Sequence, residues 1–191
     1  MRKSIEAMSS FLIMIDIQER LLPAIHNKDE VLSNSIKLLT AARELSIPAI
    51  ISEQYPKGIG PTVSELKPLI PDGSPVIDKV EFSCCANPGF GDAFLNLRFN
   101  SGTKDTAILF GIETHICVLG TAIDLQEKYN LNVIIAADSC GSRTRENHSL
   151  ALEAMRSMGC LVVPTETVIY HLLVKAGTPQ FKALLPLFKQ Q

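Results

Sequence analysis

Gly111-Ile112-Glu113-Thr114-His115-Ile116-Cys117 follows the apolar run Ala107-Ile108-Leu109-Phe110 and precedes the amphipathic segment Val118-Leu119-Gly120-Thr121-Ala122-Ile123-Asp124-Leu125. The pattern reads as a strand, a sharp turn and a helix with a cysteine in its first turn. A thiol at that place meets unpaired backbone N–H groups and the positive end of the helix dipole, and both favour thiolate. Cys117 is therefore the candidate nucleophile.

Outward from this stretch, the same alternation recurs. Phe11-Leu12-Ile13-Met14-Ile15 reads as a strand buried on both faces and ending at Asp16. After a segment interrupted by Pro23, Leu32, Ile36, Leu39 and Ala42 mark the apolar face of a helix from Asp29 or Glu30 to Leu45. Pro48–Ser52 is a second strand, followed by a long Pro- and Gly-rich loop from Glu53 to Pro75 with one helical turn expected at Val63–Leu66. A loop of that length in a compact domain implies work beyond connection. Pro75–Lys79 is a third strand and Phe90–Leu97 a short helix. Asp105–Gly111 leads to a helix over Thr114–Lys128. Asn132–Ala137 is a fifth strand, ending at Asp138, and the helix His148–Met158 and the strand Cys160–Val163 follow. Two short helices near Glu166–Lys175 and Pro179–Phe188 close the chain.

Strands alternating with helices predict an α/β fold, a three-layer α/β/α sandwich on a six-stranded parallel sheet with right-handed crossovers. The 191 residues are expected to form a single domain, residues 1–191. A composition 46% hydrophobic and 20% charged fits a soluble globular protein. The formal charge of -2 gives no electrostatic case for nucleic acid or an acidic membrane surface, and the absence of Trp disfavours a base-stacking platform. Met1-Arg2-Lys3 is basic, but the apolar run after it is too short for a signal peptide or a membrane span, so a cytoplasmic location is expected. Five cysteines read as reduced thiols rather than a disulfide framework, with Cys140 and Cys160 as buried, inert ones.

In parallel sheets, ligands bind outside the carboxyl ends of the strands. Asp16, Lys79 and Cys117 each follow such an end, so all three belong at one edge. Singly, each has an ordinary reading: Asp16 as a helix cap, Lys79 as a surface lysine, Cys117 as a small core residue. Together they form a coherent device. Asp16 accepts the thiol proton and returns it to a leaving amine, Lys79 favours both anions, and backbone N–H groups at the turn stabilise the oxyanion. Cys84 and Cys85 are rival thiols without the strand–turn–helix setting.

These residues carry a resemblance. Ile13-Met14-Ile15-Asp16-Ile17-Gln18, Lys79 before Phe82-Ser83, and Gly111 to Val118 resemble the isochorismatase-like cysteine hydrolase superfamily, over nearly the whole chain from Phe11 to Val163. Ser52-Glu53-Gln54-Tyr55-Pro56-Lys57-Gly58-Ile59-Gly60-Pro61-Thr62-Val63 and Pro179-Gln180-Phe181-Lys182 look closer still to the isochorismatase-domain-containing branch. The resemblance implies an Asp16–Lys79–Cys117 triad, a thioester-type intermediate, an oxyanion hole about Ile112, Glu113 and Cys117 with a cis peptide between Ile112 and Glu113, and a homo-oligomer. Nicotinamidases of that superfamily place an Asp and two histidines after the second strand to hold a metal. Here that region reads Glu53-Gln54-Tyr55-Pro56-Lys57, and His26, His115, His148 and His171 have no metal-ligand spacing, so neither metal nor cofactor is expected.

The expected activity is metal-independent hydrolysis of a small amide-like or other acyl substrate. The alternatives are an isochorismatase-type vinyl ether hydrolase and a non-catalytic binding or scaffold member. True isochorismatases typically lack the nucleophilic cysteine. Gln18, Gln54, Tyr55, Lys57, Phe82, Thr114 and His115 are the candidate pocket walls, Lys57 suiting an anionic substrate. His115 is a neutral-pH base by type, but the resemblance gives that role to Asp16. The apolar ending Leu184-Leu185-Pro186-Leu187-Phe188 is a segment that one small domain is not expected to bury alone, so a dimer or a multiple of it is expected.

Overall fold

The computed structural model describes residues 5–102 and 104–189. The stretch Met1-Arg2-Lys3 lies outside them. Strand β1 (Ser10–Ile15) is fully buried, every residue from Phe11 to Ile15 being 0% exposed. Helix α1 (Lys28–Glu44) follows, then β2 (Ala49–Gln54), the four-residue helix α2 (Pro56–Ile59), and β3 (Val76–Lys79). Helix α3 (Pro88–Ser101) leads to β4 (Thr106–Ile112), a π-helical turn over Thr114–Val118, and α4 (Leu119–Glu127). Strand β5 (Asn132–Gly141), α5 (Arg145–Ser157), β6 (Leu161–Val163), α6 (Thr165–Leu173) and α7 (Pro179–Leu184) complete the order.

The six strands form one parallel sheet in the order β3-β2-β1-β4-β5-β6. The chain winds outward from β1 in one direction and from β4 in the other, so the switch point falls between these two strands. Register then sets the working edge. Ile15 pairs with Ser52 on one side and Gly111 on the other, and Gln54 pairs with Lys79. The residues just beyond Ile15 and Gly111 must therefore meet one another and the end of β3.

Gly111 makes that approach possible. Its φ of 129° lies where L side chains are rarely found, and a Cβ there would collide with the Ile15 carbonyl. The β4–β5 register also shifts between Leu109 and Gly111. Two further residues are handled the same way at this edge: Asp16 and Tyr55 both take left-handed backbone, with φ of 53° and 38°. The Ile112–Glu113 peptide is cis.

The structure departs from the expected elements in instructive ways. The buried face of α1 is Val31, Asn34, Ser35, Leu38, Leu39 and Ala42, and Leu32 and Ile36 are only partly covered. Two polar residues lie on the inner face: Asn34 donates to the Asp138 carbonyl at 3.1 Å, and the small Ser35 side chain is buried with no hydrogen-bond partner for its hydroxyl among the described residues. The long loop has the expected turn at Val63–Leu66, where the Leu66 N–H donates to the Val63 carbonyl at 3.2 Å, and adds helical turns at Pro56–Ile59 and Lys67–Leu69; β2 runs on to Gln54. Strand β5 continues to Gly141, so Asp138 lies within it; its Oδ1 accepts from the Thr165 N–H and hydroxyl and caps α6. The cysteine turn opens as a π-helix, a rare form that concentrates at functional sites. The C-terminal apolar segment folds back on its own chain: Leu184 is buried, and Phe188 lies 5.3 Å from the Tyr170 ring. Leu185, Leu187 and Phe188 remain only partly buried.

Substituting Gly111 by Ala is expected to cost several kcal/mol, through steric conflict with β1 as well as backbone strain. At about 2–4 °C per kcal/mol for a chain of this size, thermal unfolding should shift down by about 5–10 °C. Gly120→Ala, whose nearest neighbour would be the Ser83 Cβ at 3.8 Å, should not lower it. Equal melting temperatures for the two variants would refute the close-approach reading.

Candidate active site

At the carboxyl edge between β1, β2, β3 and the turn after β4, a set of buried polar groups converges. Asp16 is 0% exposed and has both carboxylate oxygens engaged. The Ser52 hydroxyl donates to Oδ1 at 2.7 Å, and the Lys79 ammonium donates to Oδ2 at 2.7 Å. Ser52 also receives the Asp16 N–H on its carbonyl at 3.1 Å, so β2 grips Asp16 by backbone and side chain together.

Lys79 has three N–H donors and three oxygen acceptors: Asp16 Oδ2, Gln54 Oε1 at 2.6 Å and the Glu81 carbonyl at 3.2 Å. The Cys117 Sγ is its fourth neighbour, at 3.7 Å. Since the donors are satisfied by oxygens, the ammonium acts on the sulfur mainly through its charge. Cys84 completes the group from behind, its thiol donating to the Ser52 hydroxyl at 3.4 Å and its N–H to Thr121 Oγ1 at 3.0 Å.

The electrostatics differ from the expected resting thiolate. Burial, then the Asp16 carboxylate, push the Cys117 thiol up to about 12, although Lys79 pulls the other way. The reason is a charge count: Asp16 and Lys79 already form a neutral pair inside the protein, and a thiolate would be a second anion there without a partner. Burial opposes the Lys79 ammonium, but Asp16, Cys84 and Cys117 together hold it above the ordinary lysine range. Burial and Asp16 likewise raise Cys84. The site rests as an ion pair beside a neutral thiol.

The sequence-predicted wall residues divide. Gln54 faces the site, orienting Lys79. Gln18 is fully buried and spent on backbone: it donates to the carbonyls of Gln54 at 3.0 Å and Gly60 at 2.6 Å and accepts from the Gln54 N–H at 2.7 Å. It braces the long loop. Tyr55 and Phe82 stand 54% and 66% exposed, beside Val80 at 68%, and Lys57 is exposed. Glu113, Thr114 and His115 turn toward the β5–α5 connection. Glu113 Oε2 accepts from the Arg143 N–H at 2.8 Å and from Nε at 3.1 Å; Thr114 Oγ1 meets His148 Nδ1 at 2.9 Å; His115 Nδ1 meets Ser142 Oγ at 3.0 Å. Sequence reasoning missed Ser52, Ser142 and His148 as site residues and set Cys84 aside as a rival thiol. Ser52 lies in β2 between Ile51 and Glu53 and pairs with Ile15, next to Asp16; the sequence signal for it was its place at the carboxyl end of the second apolar run.

In the place where a metal would require ligands, Glu53 is turned inward, its Oε1 accepting from the Thr62 N–H at 2.6 Å and hydroxyl at 2.7 Å. Among the described residues, no three His, Cys, Asp or Glu side chains are arranged to hold a metal ion. No described helix is long and apolar enough to cross a membrane.

The isochorismatase domain family matches residues 10–167. Isochorismatase domain-containing protein 2A of Mus musculus is 34% identical over 182 residues, covering 95% of this chain and 84% of that protein. A secreted isochorismatase effector, Isc1, of Phytophthora sojae is 33% identical, covering 95% and 85%. Among solved structures, one described as the MAR1 ribonuclease of Caenorhabditis elegans superposes with a TM-score of 0.88 at 36% identity, over 97% of this chain and 92% of that one. The family match takes in every strand of the sheet and the whole converging edge, and the relatives span nearly all of the chain; this protein belongs to the isochorismatase domain family.

Proposed function

We propose that this protein is a metal-independent cysteine hydrolase that cleaves a small amide-like or other acyl C–N substrate through a thioester intermediate. The observation that carries the reading is the sulfur of Cys117 held 3.7 Å from an ammonium that is itself locked to a buried carboxylate.

In this reading the substrate carbonyl lies over the thiol. Asp16 takes the Cys117 proton as sulfur attacks, and backbone N–H groups at the start of the turn receive the oxyanion. Collapse of the tetrahedral adduct expels the amine, which takes its proton from Asp16. Water then attacks the thioester, giving its proton to Asp16, and the departing thiolate recovers it. Because the resting thiol is neutral, deprotonation belongs to the attack rather than preceding it. Lys79, 2.7 Å from the Asp16 carboxylate, offsets the negative charge as it moves onto sulfur.

Metal independence is supported by Glu53, whose Oε1 accepts from Thr62, and by Gln54, whose side chain is committed to Lys79 and the Val80 carbonyl. The ribonuclease description belongs to the Caenorhabditis elegans protein; a formal charge of -2 here favours a small substrate over a polyanion. A homo-oligomer is part of the same proposal, now on Val76, Val80, Leu95 and Phe99, which are 50%, 68%, 64% and 90% exposed.

A panel of small amides, ureido acids, a vinyl ether and an RNA oligonucleotide tests the reading. Amide or ureido hydrolysis by the wild type, lost in Cys117→Ala and unaffected by dialysis against a chelator, is expected. Ether or RNA cleavage that survives in Cys117→Ala would overturn it.

Asp16→Asn separates acidity from catalysis. Removing the anion beside sulfur should make the thiol more acidic, so iodoacetamide labels Cys117 faster at pH 9, while turnover falls by about 10²–10⁴. Lys79→Ala should have the opposite effect on labelling, driving the thiol still higher. Slower labelling in Asp16→Asn, or turnover near wild type, would remove Asp16 from its role.

A further inference from the structure

The residues that open the cysteine turn are held from outside the site. Thr114 is 0% exposed and meets His148 of α5 at 2.9 Å. His148 in turn lies against His26, in the segment before α1, with ring centroids 5.7 Å apart. Ser142, also 0% exposed, closes the cluster by receiving His26 Nδ1 on its carbonyl at 2.8 Å and meeting His115 Nδ1 with its hydroxyl at 3.0 Å. Because a carbonyl only accepts, His26 carries its proton on Nδ1. None of these histidines has a place in the proposed chemistry, yet together they tie the turn to α5, the end of β5 and the approach to α1.

The geometry points to His148 as a positioning residue for the nucleophile: through Thr114 it fixes the turn that sets Cys117 against Lys79 and Asp16. The inference rests on the reading of Cys117 as nucleophile. Thr114 lies three residues before Cys117 in one π-helical turn, so a shift of Thr114 carries the sulfur with it. Substrate contact is not needed for His148 to act.

The tie is pH-sensitive. The titratable and charged groups gathered around it are His26 on the segment before α1, Glu113 and His115 on the turn, Arg143 in the loop before α5, and Arg145 and Glu146 in the first turn of α5 itself. Glu113 is paired with Arg143, and the His26 ring lies directly against His148. Burial, then His26, hold His148 below the ordinary histidine range. The sign follows: with the folded value depressed, the tie is intact above the unfolded value and is lost as pH falls through the folded one. Protonated His148 must donate from Nδ1, so the Thr114 hydroxyl can then meet it only as an acceptor, and the tie in which that hydroxyl donates to the neutral ring is lost.

The experiment measures iodoacetamide labelling of Cys117 by peptide mass spectrometry from pH 5 to 8, in wild type, His148→Asn, His148→Leu, Thr114→Val and the Leu/Val double variant. His148→Asn keeps a hydrogen-bonding group where Nδ1 stands but cannot titrate. In wild type, labelling should fall more steeply below pH 6.5 than the thiolate fraction alone dictates. His148→Asn should retain the neutral-pH rate and lose that extra fall. His148→Leu and Thr114→Val should each change the neutral-pH rate by about fivefold, the worth of one hydrogen bond, and the double variant by no more than either. Circular dichroism confirms that each variant is folded. An unchanged pH profile in His148→Asn, or additive effects in the double variant, overturns the positioning role while leaving the nucleophile in place. Labelling of wild-type Cys117 no faster than Cys85 overturns the nucleophile reading itself, and the positioning role falls with it.

Discussion

The ion pair between Lys79 and Asp16, 2.7 Å long and with both side chains fully buried, constrains everything near it. Leaving one of two such charges without the other costs about 3–5 kcal/mol, so the chain is committed to bringing the ends of β1 and β3 together. Strand β2 lies between those two and is recruited on both sides, with Ser52 on the carboxylate and Gln54 on the ammonium. A pair so fully satisfied by oxygens leaves the sulfur of Cys117 as an added neighbour. Burial and the Asp16 carboxylate push that thiol up, and the proposed mechanism therefore couples its deprotonation to attack on substrate.

The second constraint is the passage of β4 against β1. Gly111 lets the backbone approach the Ile15 carbonyl, which brings the turn after β4 over Asp16. Beyond it the chain is anchored by three side-chain contacts to the end of β5 and to α5, through Glu113, Thr114 and His115. Cys117 is thus placed from two directions: the ion pair in front and the histidine cluster behind. Around these buried groups, Tyr55, Val80 and Phe82 stand exposed.

Much of this was legible in the chain. Apolar runs that end in Asp16, Lys79 and the Gly111 turn announce parallel strands, and the rule that ligands gather at their carboxyl ends placed the three side chains together before any coordinates. Other features were hidden for physical reasons. The inner face of α1 carries Asn34 and Ser35, so the hydrophobic periodicity finds Leu39 and Ala42 but places the centre of the buried face off toward Leu32 and Ile36, which only border the core. Gln18 and Thr114 look like pocket residues by position, but hydrogen bonds to remote backbone and to His148 turn them elsewhere, and such bonds depend on three-dimensional neighbours. Thiol acidity was misjudged because helix-end and lysine effects were counted without burial and the nearby carboxylate, which together outweigh them. Histidines scattered at positions 26, 115 and 148 show no sequence spacing, yet the β5–α5 connection gathers them at one corner.

The central claim is that Cys117 becomes acylated during turnover. Rapid mixing of enzyme with an amide substrate, acid quenching and intact-mass measurement test it most directly. The account predicts a burst of released amine equal to the enzyme present, with the acyl mass on the Cys117 peptide. Turnover without a burst, continuing at the same rate in Cys117→Ala, would contradict it.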